Sequence, residues 1–221
     1  MSYQFDFSVI TSNWKYLASG LRITAEVTVY SLVIGALVGI TIGIMRSSKN
    51  GLVRRVAMAY ISVFRNTPAL VQLFWVYYCL PMLIGIQISA VTSCVIALSA
   101  GAAAYIAEIM RAGIQAIDKG QLEAASTIGL SWSQTMRKIV LPQAFRQMVP
   151  PLVNEIVTLL KFSSLVSVLG VQDMTYNSQV LSSTTFRPIE LYTALGVQYY
   201  VVCLLVSRFA AAVEKRMAIG A

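Results

Sequence analysis

The 221-residue sequence contains no histidine, so it lacks both the usual general base near neutral pH and the commonest neutral metal ligand. Only three cysteines occur, Cys79, Cys94 and Cys203, scattered through apolar stretches without metal-ligand spacing. They read as small buried apolar residues. The chain has no clustered carboxylates and no nucleophile motif, so the residues point to no catalytic and no metal site. A G-x-x-x-x-G-K-[ST] phosphate loop is also missing, which leaves the chain unable to cradle ATP itself. Charge is scarce, at 12% against the roughly 25% of an ordinary soluble domain. No basic segment precedes an early apolar core, and no cleavable signal peptide is expected.

What the sequence has in abundance is apolar length. Hydrophobic residues make up 57%, and the mean hydropathy is +0.70. Both values describe an all-α integral membrane protein, and the length suits a single domain over residues 1–221. About 20 apolar residues cross a bilayer as a helix. On that measure five spans are expected, at about 24–45, 67–83, 88–110, 150–170 and 190–212. Pro81 and Gly85 are read as the turn between the second and third.

The formal net charge of +8 is distributed in short clusters between these spans, with no basic stripe for nucleic acid. Arg46, Lys49, Arg54, Arg55 and Arg65 follow span one, and Arg111, Lys119, Arg137, Lys138 and Arg146 follow span three. Arg208, Lys215 and Arg216 end the chain, while the opposite side has only Lys15, Arg22 and Arg187. Basic residues favour the cytoplasmic side. The N-terminus is therefore expected outside and the C-terminus inside.

Ser31, Gly35, Gly39 and Gly43 repeat every four residues in span one, a face that lets another helix approach closely. Ser93, Ala97 and Gly101 form a similar row in span three. Between spans one and two, Leu52, Val56, Tyr60 and Phe64 recur at helical spacing and predict a helix along the cytoplasmic interface. Thr67-Pro68 reads as an N-cap with proline at the first helical position of span two.

The connection at about 118–148 is long and carries its own punctuation. Residues 121–128 suit a helix, and Gly129 stands where a left-handed cap ends one. Ser131 and Gln134 form a capping box that opens a second helix, which Leu141-Pro142 is expected to close. The product is a cytoplasmic helical hairpin with Leu130 and Trp132 near its tip. Such a hairpin serves either as a docking knob for a partner or as a surface pair packed on its own protein.

The same stretch carries a resemblance. Glu123-Ala124-Ala125, three residues to Gly129, nine more to Ile139 and then Leu141-Pro142 resemble the EAA loop of ATP-binding-cassette (ABC) importer permeases. Phe64-Arg65-Asn66-Thr67-Pro68-Ala69-Leu70-Val71-Gln72-Leu73 is similar to the F-R-G-T-P-L-L-V-Q-L stretch of polar amino acid permeases, with Asn66 in place of glycine. Ala107-Glu108-Ile109-Met110-Arg111-Ala112-Gly113-Ile114 and Ser164-Leu165-Val166-Ser167-Val168 also match that family. Tyr3-Gln4-Phe5-Asp6-Phe7 and Gln143-Ala144-Phe145-Arg146-Gln147-Met148-Val149-Pro150 lean toward its glutamate/aspartate type. Glutamine, histidine, arginine and cystine permeases are the alternatives.

The resemblance implies the five-span type I ABC importer permease fold in a bacterial inner membrane. It also implies partners: a second permease subunit (a homologue or a second copy), a dimeric cytoplasmic ATPase that binds ATP and magnesium, and a periplasmic solute-binding protein. In that family the EAA loop receives the ATPase, which assigns coupling roles to Glu123, Ala124, Ala125, Gly129 and Leu130. This chain would then be no enzyme and hold no cofactor of its own.

Ionisable residues at membrane depth mark a pathway or a pair. Lys161 lies roughly 14 Å along the helix from Leu152, at about 1.5 Å per residue, near mid-membrane. It is a candidate for meeting a substrate carboxylate, with Ser163, Ser164 and Ser167 nearby, or else it makes a structural pair or snorkels. Glu155, six positions earlier, falls on a different face. Gln72 and Glu26 are weaker path candidates, and Glu108 and Arg111 are spaced for a helix-surface pair. The rival reading is a membrane assembly subunit without a solute path, which would leave the capped hairpin and Lys161 unexplained. A channel would need a charged ring or carbonyl filter, and neither is visible.

Overall fold

The protein is described by a computed structural model that covers residues 3–219, with side chains through residue 212. The side chains of Lys215 and Arg216 therefore lie outside the described residues. Among the described residues every regular element is helical. Short α1 (Ser8–Ser12) leads into α2 (Trp14–Arg46), followed by α3 (Gly51–Arg65), α4 (Ala69–Phe74) and α5 (Leu80–Ile84). Then come α6 (Ala90–Gln115), α7 (Lys119–Thr127), α8 (Trp132–Thr135), α9 (Leu141–Phe162), α10 (Met174–Thr185) and α11 (Pro188–Ile219).

Four helical stretches are long and apolar enough to cross a membrane: Trp14–Arg46, Ala90–Gln115, Trp132–Leu169 and Pro188–Ala212. The bent pair Gly51–Arg65 and Ala69–Ile84, whose axes turn by 106°, is apolar enough to make a fifth if it counts as one broken span. Span two thus does not run on from the amphipathic helix but breaks sharply from it. Gln72 secures the break, its side-chain amide donating to the carbonyls of Phe64 (2.8 Å) and Thr67 (3.0 Å) and to Thr67 Oγ1 (2.9 Å). The cap sits one residue later than expected: Pro68 is the N-cap, and Thr67 Oγ1 donates to the Val63 carbonyl.

Two prolines expected to interrupt helices do not. Pro81 lies inside α5, and the chain turns only at Gly85, whose φ is +70°. Pro142 lies inside α9, so the second hairpin helix runs on into span four as one rod, Trp132–Leu169. A proline ring collides with the carbonyl four residues before it and donates no hydrogen bond. In both places a π-helical turn precedes the proline, Trp75–Cys79 and Met136–Val140, and widens the helix there.

The core is the α2–α6 seam. Lipid tails are as apolar as leucine, so close packing rather than water exclusion holds such helices together. Ser31, Gly35, Gly39 and Gly43 are all buried. A Cβ added at Gly39 would stand 2.8 Å from the Ala103 carbonyl oxygen, and one at Gly35 would stand 2.9 Å from Ala102 Cβ. The α6 residues that seat these glycines are Ser99, Ala102, Ala103 and Ile106, whereas Gly101 of the other expected row faces Gln72. Of the cysteines only Cys94 is buried; Cys203 is half-buried and Cys79 exposed on this single chain.

α3 is the expected interfacial helix, begun by Asn50, whose side chain accepts from the Leu52 and Val53 amides. Its buried face, however, is Ala57 and Ile61, and Leu52 and Val56 point outward. That outward apolar row suits lipid better than protein. α10 was not legible in the sequence because its buried side mixes Met174 and Leu181 with polar Asn177, Ser178 and Ser182, which blurs the apolar period. Asp173 caps it by accepting from the Tyr176 amide at 2.8 Å. Burial raises the Asp173 carboxyl above the ordinary range, against the hydrogen bonds that favour its anion.

Candidate functional site

Two regions collect the residues singled out in the sequence. The first is the 118–148 hairpin. Asp118 accepts from the Gly120 amide at 2.6 Å and opens α7. The helix ends at Gly129, φ +77°, where the Leu130 amide donates to the Ala125 carbonyl (3.1 Å) and the Gly129 amide to that of Ser126 (3.0 Å). That pair of bonds is the Schellman arrangement. Ser131 and Gln134 then exchange the two bonds of a capping box. Gln143 Nε2 donates to Gln121 Oε1 at 2.6 Å and ties α7 to the long rod.

The base of the hairpin is anchored and its tip is not. Ile117, Val140, Ala144 and Met148 form a buried cluster against the end of α6. At the tip Trp132 is 76% exposed and Ile128 74%, while Leu130 is half-buried. Ile128 was the missed tip residue, since its apolar side chain reads as part of the helix face until the glycine turn is placed. Glu123, Ala124 and Gly129 are exposed. Ala125 is buried by its own chain, so it supports the hairpin rather than facing outward.

The second region is a cavity of about 190 Å³ between α4, α6 and α9. Gln72, Gly101, Tyr105, Glu155 and Phe162 contribute to its wall. Among the described residues no Lys or Arg nitrogen lies within the 4.0 Å of an ion pair with Glu155. Gln72 joins the cavity, but its amide nitrogen is committed to the bend. Lys161 stays outside it and exposed. Ser163, Ser164 and Ser167 donate to the carbonyls of Leu160, Lys161 and Ser164, so none offers a free hydroxyl proton to a solute. The structure therefore joins Gln72 with Glu155, a residue that the motif reading had set aside, and leaves Lys161 apart. Glu26 pairs with Arg22 at 2.7 Å on the exposed surface of α2.

Comparisons with known proteins bear on the family and the fold. Residues 32–219 match the model of the family described as binding-protein-dependent transport system inner membrane component. The chain belongs to this family. The arginine transport system permease protein ArtQ of Bacillus subtilis (strain 168) is 39% identical over 212 residues, covering 96% of this chain and 97% of that protein. The glutamine transport system permease protein GlnP of Escherichia coli (strain K12) is 35% identical over 217 residues, covering 98% and 99%. A crystal structure of an amino acid ABC transporter with histidines superimposes with a TM-score of 0.91 at 38% identity, over 97% of this chain and 100% of that one. The fold is that of a type I ABC permease, and the chain is a non-enzymatic subunit of the inner membrane that works beside ATPase, permease and solute-binding partners.

Proposed function

We propose that this permease, a single domain over residues 1–221, carries a polar amino acid inward and takes its energy through the 118–148 hairpin. The observation that carries the coupling reading is a hairpin with an anchored base whose two most exposed apolar residues, Ile128 and Trp132, lie at the tip. Large apolar side chains held out on a rigid support fit a partner pocket. Glu123 and Ala124 would border that contact, and Gly129 and Ala125 would hold its shape. The ATPase pair would bind ATP and magnesium, close, and draw two such hairpins together, rocking the membrane helices as rigid bodies.

The orientation follows from the basic residues: N-terminus outside, C-terminus and hairpin inside. A cysteine placed at Ser133 should react with an impermeant maleimide only from the cytoplasmic side, and one at Phe186 only from outside. The reverse pattern would remove the coupling role. Transport would pass the Glu155 cavity, where an uncompensated carboxylate suits the ammonium of an amino acid. Lys161, exposed on the single chain, would meet the solute carboxylate or an acid of the second subunit, and Gln72 would shape the cavity.

Glutamate and aspartate remain the first substrates to test, on the strength of residues 3–7 and 143–150. A second reading, arginine or glutamine, is favoured by the names of the two relatives above. Competition among these labelled amino acids for ATP-driven uptake into proteoliposomes holding the full complex decides between them. Loss of uptake in Glu155→Gln, with the complex intact, is the expected result for the cavity. Normal uptake in that variant would remove Glu155 from the path.

A further inference from the structure

A second cavity, of about 380 Å³, opens between the end of α2, α3 and α6, on the far side of Tyr105, which it shares with the Glu155 chamber. Its walls include Arg46, Ser62, Arg65, Asn66, Tyr105 and Glu108. Glu108 is the hub. Arg46 bonds to it, Arg111 Nη2 approaches it at 2.5 Å, and Arg65 Nη1 stands off at 3.7 Å. The expected Glu108–Arg111 pair is thus part of a cluster in which three guanidiniums share one carboxylate and two positive charges stay uncompensated.

Arg65 carries most of that excess into the cavity. Among the described residues its side chain makes no hydrogen bond, and its guanidinium carbon lies 5.5 Å from the centroid of the Tyr105 ring, a cation–π contact that holds it at the cavity wall. A half-exposed arginine with its donors unused can take a phosphate oxygen pair. Ser62 and Asn66 add polar groups at the rim, and Met58 and Ile61 give the wall an apolar side. Polar rim, apolar side and an arginine with unused donors together describe a headgroup pocket rather than a solvent-filled gap.

We propose that this cavity binds a phosphate group, in the first place that of an anionic membrane lipid. The preference for a lipid over free phosphate rests on the orientation proposed above, which puts the ends of α2 and α6 at the cytoplasmic leaflet. Basic pockets between membrane helices on that side attract anionic headgroups. The occupant would bridge Arg46 of α2 and Arg65 of α3 at the point where the chain bends by 106° into span two.

The test is native mass spectrometry of the full-length chain, purified with its partner subunits in micelles doped with phosphatidylglycerol or phosphatidylcholine. Micelles have no sidedness, so a wrong orientation cannot hide binding. The wild type should retain phosphatidylglycerol over phosphatidylcholine. Arg65→Gln should retain it about fivefold more weakly, the worth of one cation at a charged leaflet. Arg65→Lys should fall between them, and Arg55→Gln, on the same helix but outside the cavity, should match the wild type. If the source is free phosphate, inorganic phosphate will raise the Tm of the wild type but not of Arg65→Gln, with no lipid preference. Equal phosphatidylglycerol retention by wild type and Arg65→Gln, with no phosphate-dependent shift in Tm, overturns the proposal.

Discussion

The α2–α6 seam and the hairpin at 118–148 both depend on glycine, for opposite physical reasons. In the seam the glycines have helical backbones that any residue could adopt, and what matters is the missing Cβ: one at Gly39 would press on the Ala103 backbone at 2.8 Å. At Gly129 the surroundings are open, with nothing within 4 Å of an added Cβ, and what matters is a φ of +77°. The first kind of glycine makes a rigid body. The second makes a turn that presents side chains to something else. The difference separates a packed seam from an exposed turn, which is the part proposed to be grasped.

The comparison can be broken by substitution. The largest effect is expected from Gly39→Leu, which cannot be seated against backbone and should leave no folded protein in detergent extracts. Gly39→Ala should cost about 1–3 kcal/mol, read as a lowered Tm of the purified membrane subunit. Gly129→Pro should act the other way round. Proline fixes φ near −65° and removes the amide that bonds to Ser126, so the turn is lost while the membrane core melts almost as before. Uptake, not Tm, is the readout there. Ser131→Ala should cost about 1 kcal/mol, seen as faster amide exchange confined to the first turn after the glycine. Gly43→Ala should be milder than Gly39→Ala, because its nearest neighbour is the flexible thioether of Met110 at 3.1 Å.

A pH response is expected at Asp173, the cap of α10. Burial raises the Asp173 carboxyl, so the unfolded chain loses that proton at a lower pH than the folded one. Stability should therefore fall as pH rises from the ordinary aspartate value to the raised one, and the slope should become shallower in Asp173→Asn. An unchanged slope in that variant would assign the response elsewhere.

The sequence made the membrane class, the four long apolar helices and the helical hairpin legible, because each rests on local signals: apolar length, glycine position and a capping box. It did not reveal that Pro81 and Pro142 are carried inside helices, since the π turns that accommodate them leave no mark in residue type. Nor did it show α10, whose buried side is mostly polar, or the Arg46–Glu108 contact, which joins positions 62 apart. The proposed coupling residues came from spacing, but their division into exposed Glu123 and buried Ala125 needed the fold. For the solute path the sequence weighted Lys161 for its charge at depth. The cavity gathers Glu155 instead, because a helix six residues on presents a different face.

The central claim is that the hairpin tip is where a cytoplasmic ATPase holds this chain. Replacing both Ile128 and Trp132 with serine, purifying the membrane subunit, and measuring its Tm alongside co-purification of the ATPase tests it most directly. The account predicts an unchanged Tm, loss of the ATPase from the purified complex, and loss of uptake. Full retention of the ATPase with normal uptake in the double variant would contradict it.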